Sequence, residues 1–165
     1  MRAFVAVEIS DEQIINKISK FQSQIMIHAK PVEPHNLHFT MQFLGEISDE
    51  QADMIRKALK RVEFSDFSIN FKGIGVFPNL KVPRVIWIGT DEEGGKILSE
   101  LAKKIENVLS PLGFRSDKPF KPHITIFRIK NKTEGILQEL KKFETFEFGT
   151  QEIKNFKFKQ SVFNF

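Results

Sequence analysis

The feature that most constrains this chain is an order of elements that occurs twice. A strand-like segment, a helix-like segment, a strand carrying His-x-Thr and a second helix-like segment follow one another from Arg2, and again from Arg84. The first half runs through the Arg2 strand, a helix from Ser10, the His38 strand and a helix from Ser48. The second runs through the Arg84 strand, a helix from Gly95, the His123 strand and a helix from Thr133. The two histidines are 123 − 38 = 85 residues apart. This is a duplication of architecture rather than of detailed sequence, and a pseudo-twofold axis is expected to bring the two motifs face to face. The expected fold class is α+β, with two pseudo-symmetric lobes, mainly antiparallel sheets lining a central cleft, and helices on the outside.

Local patterns carry that order. Arg2 to Ile9 is rich in Phe and Val, and Ser10-Asp11-Glu12-Gln13 has the form of a capping box. Ile14, Ile18, Phe21 and Ile25 then recur at helical spacing, predicting a helix to about Ile27. Pro31 and Pro34 bar helix before the first His-x-Thr strand, which ends at Gly45. Ser48-Asp49-Glu50-Gln51 repeats the cap, and Ala52, Ile55, Leu59 and Val62 share one helical face. From Phe64 to Phe77 the period becomes two, with Phe67, Ile69 and Phe71 alternating with Ser68, Asn70 and Lys72. Pro78, Asn79 and Pro83 mark a loop before a buried strand, Arg84 to Gly89. A third helix is expected from Gly95 to Leu112, a short fourth from Thr133 to Lys142, and β-like segments around Phe146 to Phe148 and Ile153 to Phe163.

With 165 residues, 41% of them hydrophobic, the chain can bury a real core as one domain spanning 1–165. No apolar run approaches membrane-spanning length, and Glu8 interrupts the N-terminal apolar stretch too early for a signal peptide, so a cytoplasmic protein with no membrane partner is expected. Cysteine is absent, which removes disulfides, thiolate catalysis and Cys-ligated metals. The chemistry left is that of His, carboxylate, hydroxyl and amine. A net charge of +4 suits a polyanionic ligand, and equally a soluble lysine-rich surface.

In a β-strand, residues i and i+2 face the same way roughly 6.5 to 7 Å apart, so each motif presents an imidazole beside a hydroxyl. One such triplet is more often an ordinary strand with a polar outer face. Two, in matching positions of similar halves, can surround one phosphate. Phe39, Met41, Ile124 and Ile126 alternate away from the histidines and are expected in the core.

Asn36-Leu37-His38-Phe39-Thr40-Met41-Gln42-Phe43-Leu44-Gly45, Gly73-Ile74-Gly75-Val76-Phe77-Pro78, Pro83-Arg84-Val85-Ile86-Trp87-Ile88-Gly89 and Pro119-Phe120-Lys121-Pro122-His123-Ile124-Thr125-Ile126-Phe127-Arg128 closely resemble the RNA 2′,3′-cyclic phosphodiesterase family. That family is also called LigT-like or 2′-5′ RNA ligase, within the two-histidine phosphoesterases, and the resemblance runs from Met1 to about Ser161. It implies that His38 and His123 form an acid and base pair, that Thr40 and Thr125 hold the phosphate, and that Arg128 contacts it. By the family's pattern His38 protonates the departing O3′ and His123 activates water. The chain departs from the family where Ser161-Val162-Phe163-Asn164-Phe165 stands in place of a longer tail.

The residue types agree with that chemistry. Opening a cyclic phosphodiester in line needs a base for the nucleophile, an acid for the leaving oxygen and donors for the equatorial oxygens. Strict alternation puts Arg128 on the face opposite His123, so a bulge or a strand end after Ile126 is needed for it to join the site. His28, His35 and His38 suggest zinc only superficially, because no carboxylate pattern or cysteine completes a site. No metal or other cofactor is expected. Lys81, Arg84 and Lys121 are candidates to guide an RNA backbone, and one of the 18 phenylalanines can stack on a base without the sequence saying which. The expected partner is an RNA with a 2′,3′-cyclic phosphate end, such as a tRNA fragment, acted on by a monomer, with 2′-5′ ligation as a minor activity. The alternatives are a sister enzyme acting on 2′-5′ oligonucleotides or small cyclic nucleotides, and a module that binds RNA ends without catalysis.

Overall fold

The computed structural model describes residues 1–79, 81–130 and 135–161. Eight strands and four helices follow in the order β1 (Arg2–Glu8), α1 (Glu12–Gln24), β2 (Lys30–Pro31), β3 (His38–Glu46), α2 (Asp49–Leu59), β4 (Phe67–Phe77), β5 (Val85–Thr90), α3 (Glu92–Leu109), β6 (Ile124–Arg128), α4 (Ile136–Lys141), β7 (Glu147–Ile153) and β8 (Lys157–Gln160). They form two antiparallel sheets, β3-β1-β8 and β2-β6-β5-β4-β7.

The duplication is visible in the pairing. β1 pairs with β3 as β5 pairs with β6, and β8 flanks β1 as β4 flanks β5. The lobes are nevertheless not the two halves of the sequence. β8 comes from the second half to complete the first sheet, whereas β2 and β4 come from the first half to extend the second. Helix α1 also crosses over, packing on β6 and β7. Each lobe is therefore stabilised by side chains from both halves.

Alternation along β1 defines the two faces of the first sheet. Ala3, Val5, Val7 and Ile9 enter the apolar core, joined by Ile14, Ile18 and Phe21 of α1 and by Ile55, Leu98, Leu101 and Ile105 of α2 and α3. Burying each larger aliphatic or aromatic side chain contributes about 1.5–3 kcal/mol. Phe4 and Glu8 point the other way, toward the cleft. Phe39, Met41, Ile124 and Ile126 are buried, as their alternation predicts.

Helix boundaries differ from expectation where distant groups intervene. The Ser48 capping box forms as predicted, with Ser48 Oγ accepting from Gln51 N and Gln51 Oε1 accepting from Ser48 N. At the first helix the N-cap is Asp11 instead of Ser10, its Oδ1 accepting from the N–H groups of Gln13 and Ile14. The N–H groups of Ser10 and Asp11 are taken by Gln151 Oε1 at 2.9 and 3.2 Å, while Gln151 Nε2 donates to Glu8 O. This helix ends at Gln24, short of Ile27, with Ile25 extended and the last buried residue of its stripe. Helix α3 begins at Glu92, three residues before Gly95, capped by Asp91. Gly94 and Gly95 lie in its first turn, where a Cβ at Gly94 would stand 2.9 Å from Ser68 O and one at Gly95 3.2 Å from the Pro122 ring. Pro111 then tightens the last turn into a 3₁₀ segment, Ser110–Leu112. Of the expected fourth helix, the start at Thr133 lies outside the described residues, as do Val162 and Phe163 of the last expected strand.

Candidate active site

His38 opens β3 and His123 immediately precedes β6, so each stands at the same end of an equivalent strand. Beyond each threonine the ladder slips by one residue. Ala6 pairs with Thr40 but Val5 with Gln42, leaving Met41 over; Trp87 pairs with Thr125 but Ile86 with Phe127, leaving Ile126 over. A bulge of this kind puts two successive side chains on the core side and returns the next to the cleft. Ile126 and Phe127 are accordingly both buried and Arg128 is exposed. The alternation that argued against Arg128 is broken at the residue where it had to be.

His38, Thr40, His123, Thr125 and Arg128 line one cleft of about 980 Å³. All five candidate residues are thus brought together, and the cleft is large enough for more than a phosphate. The same bulge in the first lobe exposes Phe43, which is 62% accessible and also lines the cleft. Phe43 is five residues after His38, as Arg128 is five after His123 (43 − 38 = 128 − 123). The shared offset was present in the sequence, but simple alternation put both residues on the wrong face. Phe4, Glu8 and Lys159 also line the cleft and were not anticipated. Lys81, Arg84 and Lys121 are not among its lining. Among the described residues no three His, Asp or Glu side chains converge.

The two imidazoles have different surroundings. His123 Nδ1 lies 2.7 Å from the Lys121 carbonyl. A carbonyl only accepts, so this nitrogen carries the proton and Nε2 keeps its lone pair. Phe77 meets the His123 ring edge-on at 4.8 Å, and Trp87 packs at 6.2 Å. Trp87 lies over Gly75, where any Cβ would overlap the indole. Burial lowers the His123 pKa, and the Lys121 carbonyl opposes that shift. His38 stacks on Phe4 at 5.1 Å, and its buried Nδ1 has no hydrogen-bond partner among the described residues. Burial, then the charge of Lys159 and more weakly that of Arg128, push its pKa down to about 4, with Glu8 acting in the opposite sense.

This shift predicts a pH dependence of stability. The unfolded chain binds a proton at His38 near pH 6.5 and the folded chain only near pH 4, so the unfolded state gains protons through that window. Stability is full above about pH 6.5 and falls as the solution is acidified, by on the order of 3 kcal/mol from this group. Urea unfolding at pH 7.5 and pH 5 should show the loss, and His38→Ala should reduce it, leaving the part that burial of His123 contributes. An equal loss in the variant would assign the slope to other groups.

The bulge that aims Arg128 is held from outside its own sheet. Gln22 of α1 donates through Nε2 to Ile126 O at 2.8 Å and to Val32 O at 3.0 Å, and Val32 N donates to Ile126 O at 2.9 Å. The carbonyl of the bulged residue is thereby satisfied twice. Next to it, Lys30 pairs with Arg128 across β2 and β6. Gln22→Leu leaves these carbonyls short of a donor and should lower activity about tenfold through Arg128. In an Arg128→Ala background the same change should cost almost nothing; full additivity would dissociate Gln22 from Arg128.

Comparison with known proteins agrees with this architecture. The family model of the LigT like Phosphoesterase matches twice, over residues 7–87 and 88–162, one match for each half of the duplication. The chain is 42% identical over 164 residues to the RNA 2′,3′-cyclic phosphodiesterase of Archaeoglobus fulgidus, covering 98% of this chain and 92% of that protein. It is 40% identical to the enzyme of the same name from Aquifex aeolicus, covering 93% and 84%. The crystal structure of E. coli LigT complexed with 3′-AMP superposes with a TM-score of 0.78 at 25% identity, covering 99% of this chain and 89% of that one. A duplicated strand pair, each copy presenting His-x-Thr to a shared cleft, and a family model that matches both copies lead to one assignment: the chain belongs to the LigT-like phosphoesterase family.

Proposed function

We propose that this protein is a metal-independent RNA phosphodiesterase that opens a terminal 2′,3′-cyclic phosphate to a 2′-phosphate. The observation that carries this reading is the convergence of His38, Thr40, His123, Thr125 and Arg128 on one cleft from equivalent positions of two strand pairs. Relatives at 42% and 40% identity that bear this enzyme name support the substrate class. The two threonine hydroxyls and the guanidinium supply donors for oxygens whose charge grows in the transition state.

The symmetry of the site is broken by what each bulge exposes, and this orients the substrate. Arg128 is an anion ligand, whereas Phe43 offers an apolar face on which a base can stack. The nucleoside therefore belongs on the first lobe and the outer face of the phosphate toward the second. The leaving O3′ remains part of the nucleoside, so the acid is His38. In-line attack comes from the opposite side, where His123 presents Nε2 to a water. His38 is held neutral in the free protein, and the bound phosphate's negative charge offsets Lys159 and Arg128, so that the imidazolium needed for proton donation forms in the complex. If a bound 5′-hydroxyl replaces water, the same site forms a 2′-5′ linkage, in minor yield because water is abundant.

The test is incubation with a short RNA ending in 2′,3′-cyclic phosphate, with product isomers separated by chromatography. A 2′-phosphate is expected, at a rate unchanged by EDTA, since imidazoles and hydroxyls do here what metals do elsewhere. A 3′-phosphate would overturn the choice of bond, and loss of activity restored by one divalent ion would overturn metal independence. Tight binding with no turnover would make the protein an RNA-end binder instead.

A further inference from the structure

The geometry points to a second phosphate subsite in the cleft, centred on Lys159, that takes the phosphodiester joining the terminal nucleotide to the one before it. This deepens the proposed function and rests on it, because the nucleoside orientation comes from that reading.

Three residues on adjacent strands of the first sheet form a row. Phe43 of β3 is opposite Phe4 of β1, and Phe4 is opposite Lys159 of β8. All three line the cleft. With neighbouring strands about 4.8 Å apart, the row places Lys159 roughly 10 Å from Phe43. A nucleotide with its base against Phe43 and its 3′ side at His38 and Thr40 extends its 5′ side across Phe4 toward Lys159.

The pseudo-symmetry shows why a lysine at this position is not required for packing. The matching row of the second lobe is Arg128, Val85 and Phe77. There the outer position, Phe77, buttresses His123. In the first lobe Phe4 already stacks on His38, and the outer position holds a cation in place of a second buttress.

Charge is arranged to keep that cation in the cleft. Lys159 and Lys157 both bind the Glu8 carboxylate, Lys157 at 3.0 Å. Burial tends to raise the Glu8 pKa, but its bonds and charges with the two lysines outweigh this and hold it below the ordinary value, so Glu8 stays ionised. Two lysines against one carboxylate leave one positive charge on this wall. Lys159 is only 27% exposed, so Glu8 holds its ammonium in place instead of leaving it to range through solvent.

The experiment compares kcat/KM for three substrates sharing one terminal cyclic phosphate. They are the mononucleoside with a free 5′-hydroxyl, the dinucleotide with a normal phosphodiester, and the dinucleotide with an uncharged methylphosphonate linkage. The wild type should prefer the charged dinucleotide about tenfold, the order of one charge-assisted hydrogen bond, and treat the uncharged one like the mononucleoside. Lys159→Met should bring the ratio close to one, and Lys159→Arg should keep most of it. Using the ratio removes whatever effect of Lys159 on His38 is common to the three substrates, since all use the same acid, and running it at a pH on the plateau of kcat/KM for each substrate removes the rest. A wild-type ratio near one, an undiminished ratio in Lys159→Met, or equal use of the uncharged linkage would overturn the subsite while leaving the phosphodiesterase reading intact. No turnover of any of the three would overturn that reading, and the subsite with it.

Discussion

Alanine at His38 is expected to lower turnover of a cyclic-phosphate RNA by about 10²- to 10⁴-fold, the usual size of one general acid, and a change in the substrate is expected to return much of it. An acid matters only while the departing atom needs a proton. Sulfur in place of the bridging 3′ oxygen departs as a thiolate, so that substrate should rescue His38→Ala selectively. It should do little for His123→Ala, whose defect lies in activating water. Selective rescue of His123→Ala would exchange the roles, and rescue of neither would remove proton transfer to O3′ from both histidines. The structural basis is that equivalent bulges expose unlike side chains, an aromatic at Phe43 and a cation at Arg128, from which the proposed function puts the nucleoside on the His38 side.

How much of this was legible in the sequence depends on the range of the interaction involved. Ser48 and Gln51 cap a helix three residues apart, and the sequence shows that cap in full. Ser10 and Gln13 have the same spelling, yet the Ser10 N–H is claimed by Gln151, 141 residues away, which no local pattern reveals. The start of α3 was hidden for a similar reason. Gly94 and Gly95 look like a helix boundary by propensity, but they are the surfaces on which β4 and Pro122 pack closely. The shared cleft was legible at His38, Thr40, His123 and Thr125, where a period of two holds. It failed at Phe43, beyond the point where each strand slips by one residue. A bulge changes the phase of every later side chain, and its position is set by pairing with another strand. Arg128 was recovered only through the family resemblance. The exchange of β8 and β4 between halves, and with it the arrival of Lys159 in the cleft that His38 lines, is a matter of topology that periodicity does not encode.

Alanine at His123 should cost a similar 10² to 10⁴ in rate, and its pH profile is the sharper test of the assignment. In the proposed mechanism the active form has His38 protonated and His123 neutral. Burial lowers both pKa values, that of His38 to about 4, so free protein in this form is a minor species and the wild-type kcat/KM should be a bell centred below pH 6.5. Its two limbs belong to the pair, because each reports a form in which both rings have gained or both have lost a proton. Removing His123 leaves only the requirement that His38 be protonated. The acidic limb should vanish, and the surviving rate should fall as pH rises through the His38 value near 4. Removing His38 does the opposite: the residual rate should climb with pH and level off once His123 is neutral. In kcat, which reports the bound complex, the descending limb of wild type should lie at higher pH than in kcat/KM, because the substrate's charge favours the imidazolium. A residual rate in His123→Ala that rises with pH would show that His38 works as the base, and the orientation drawn from Phe43 and Arg128 would then have to be reversed.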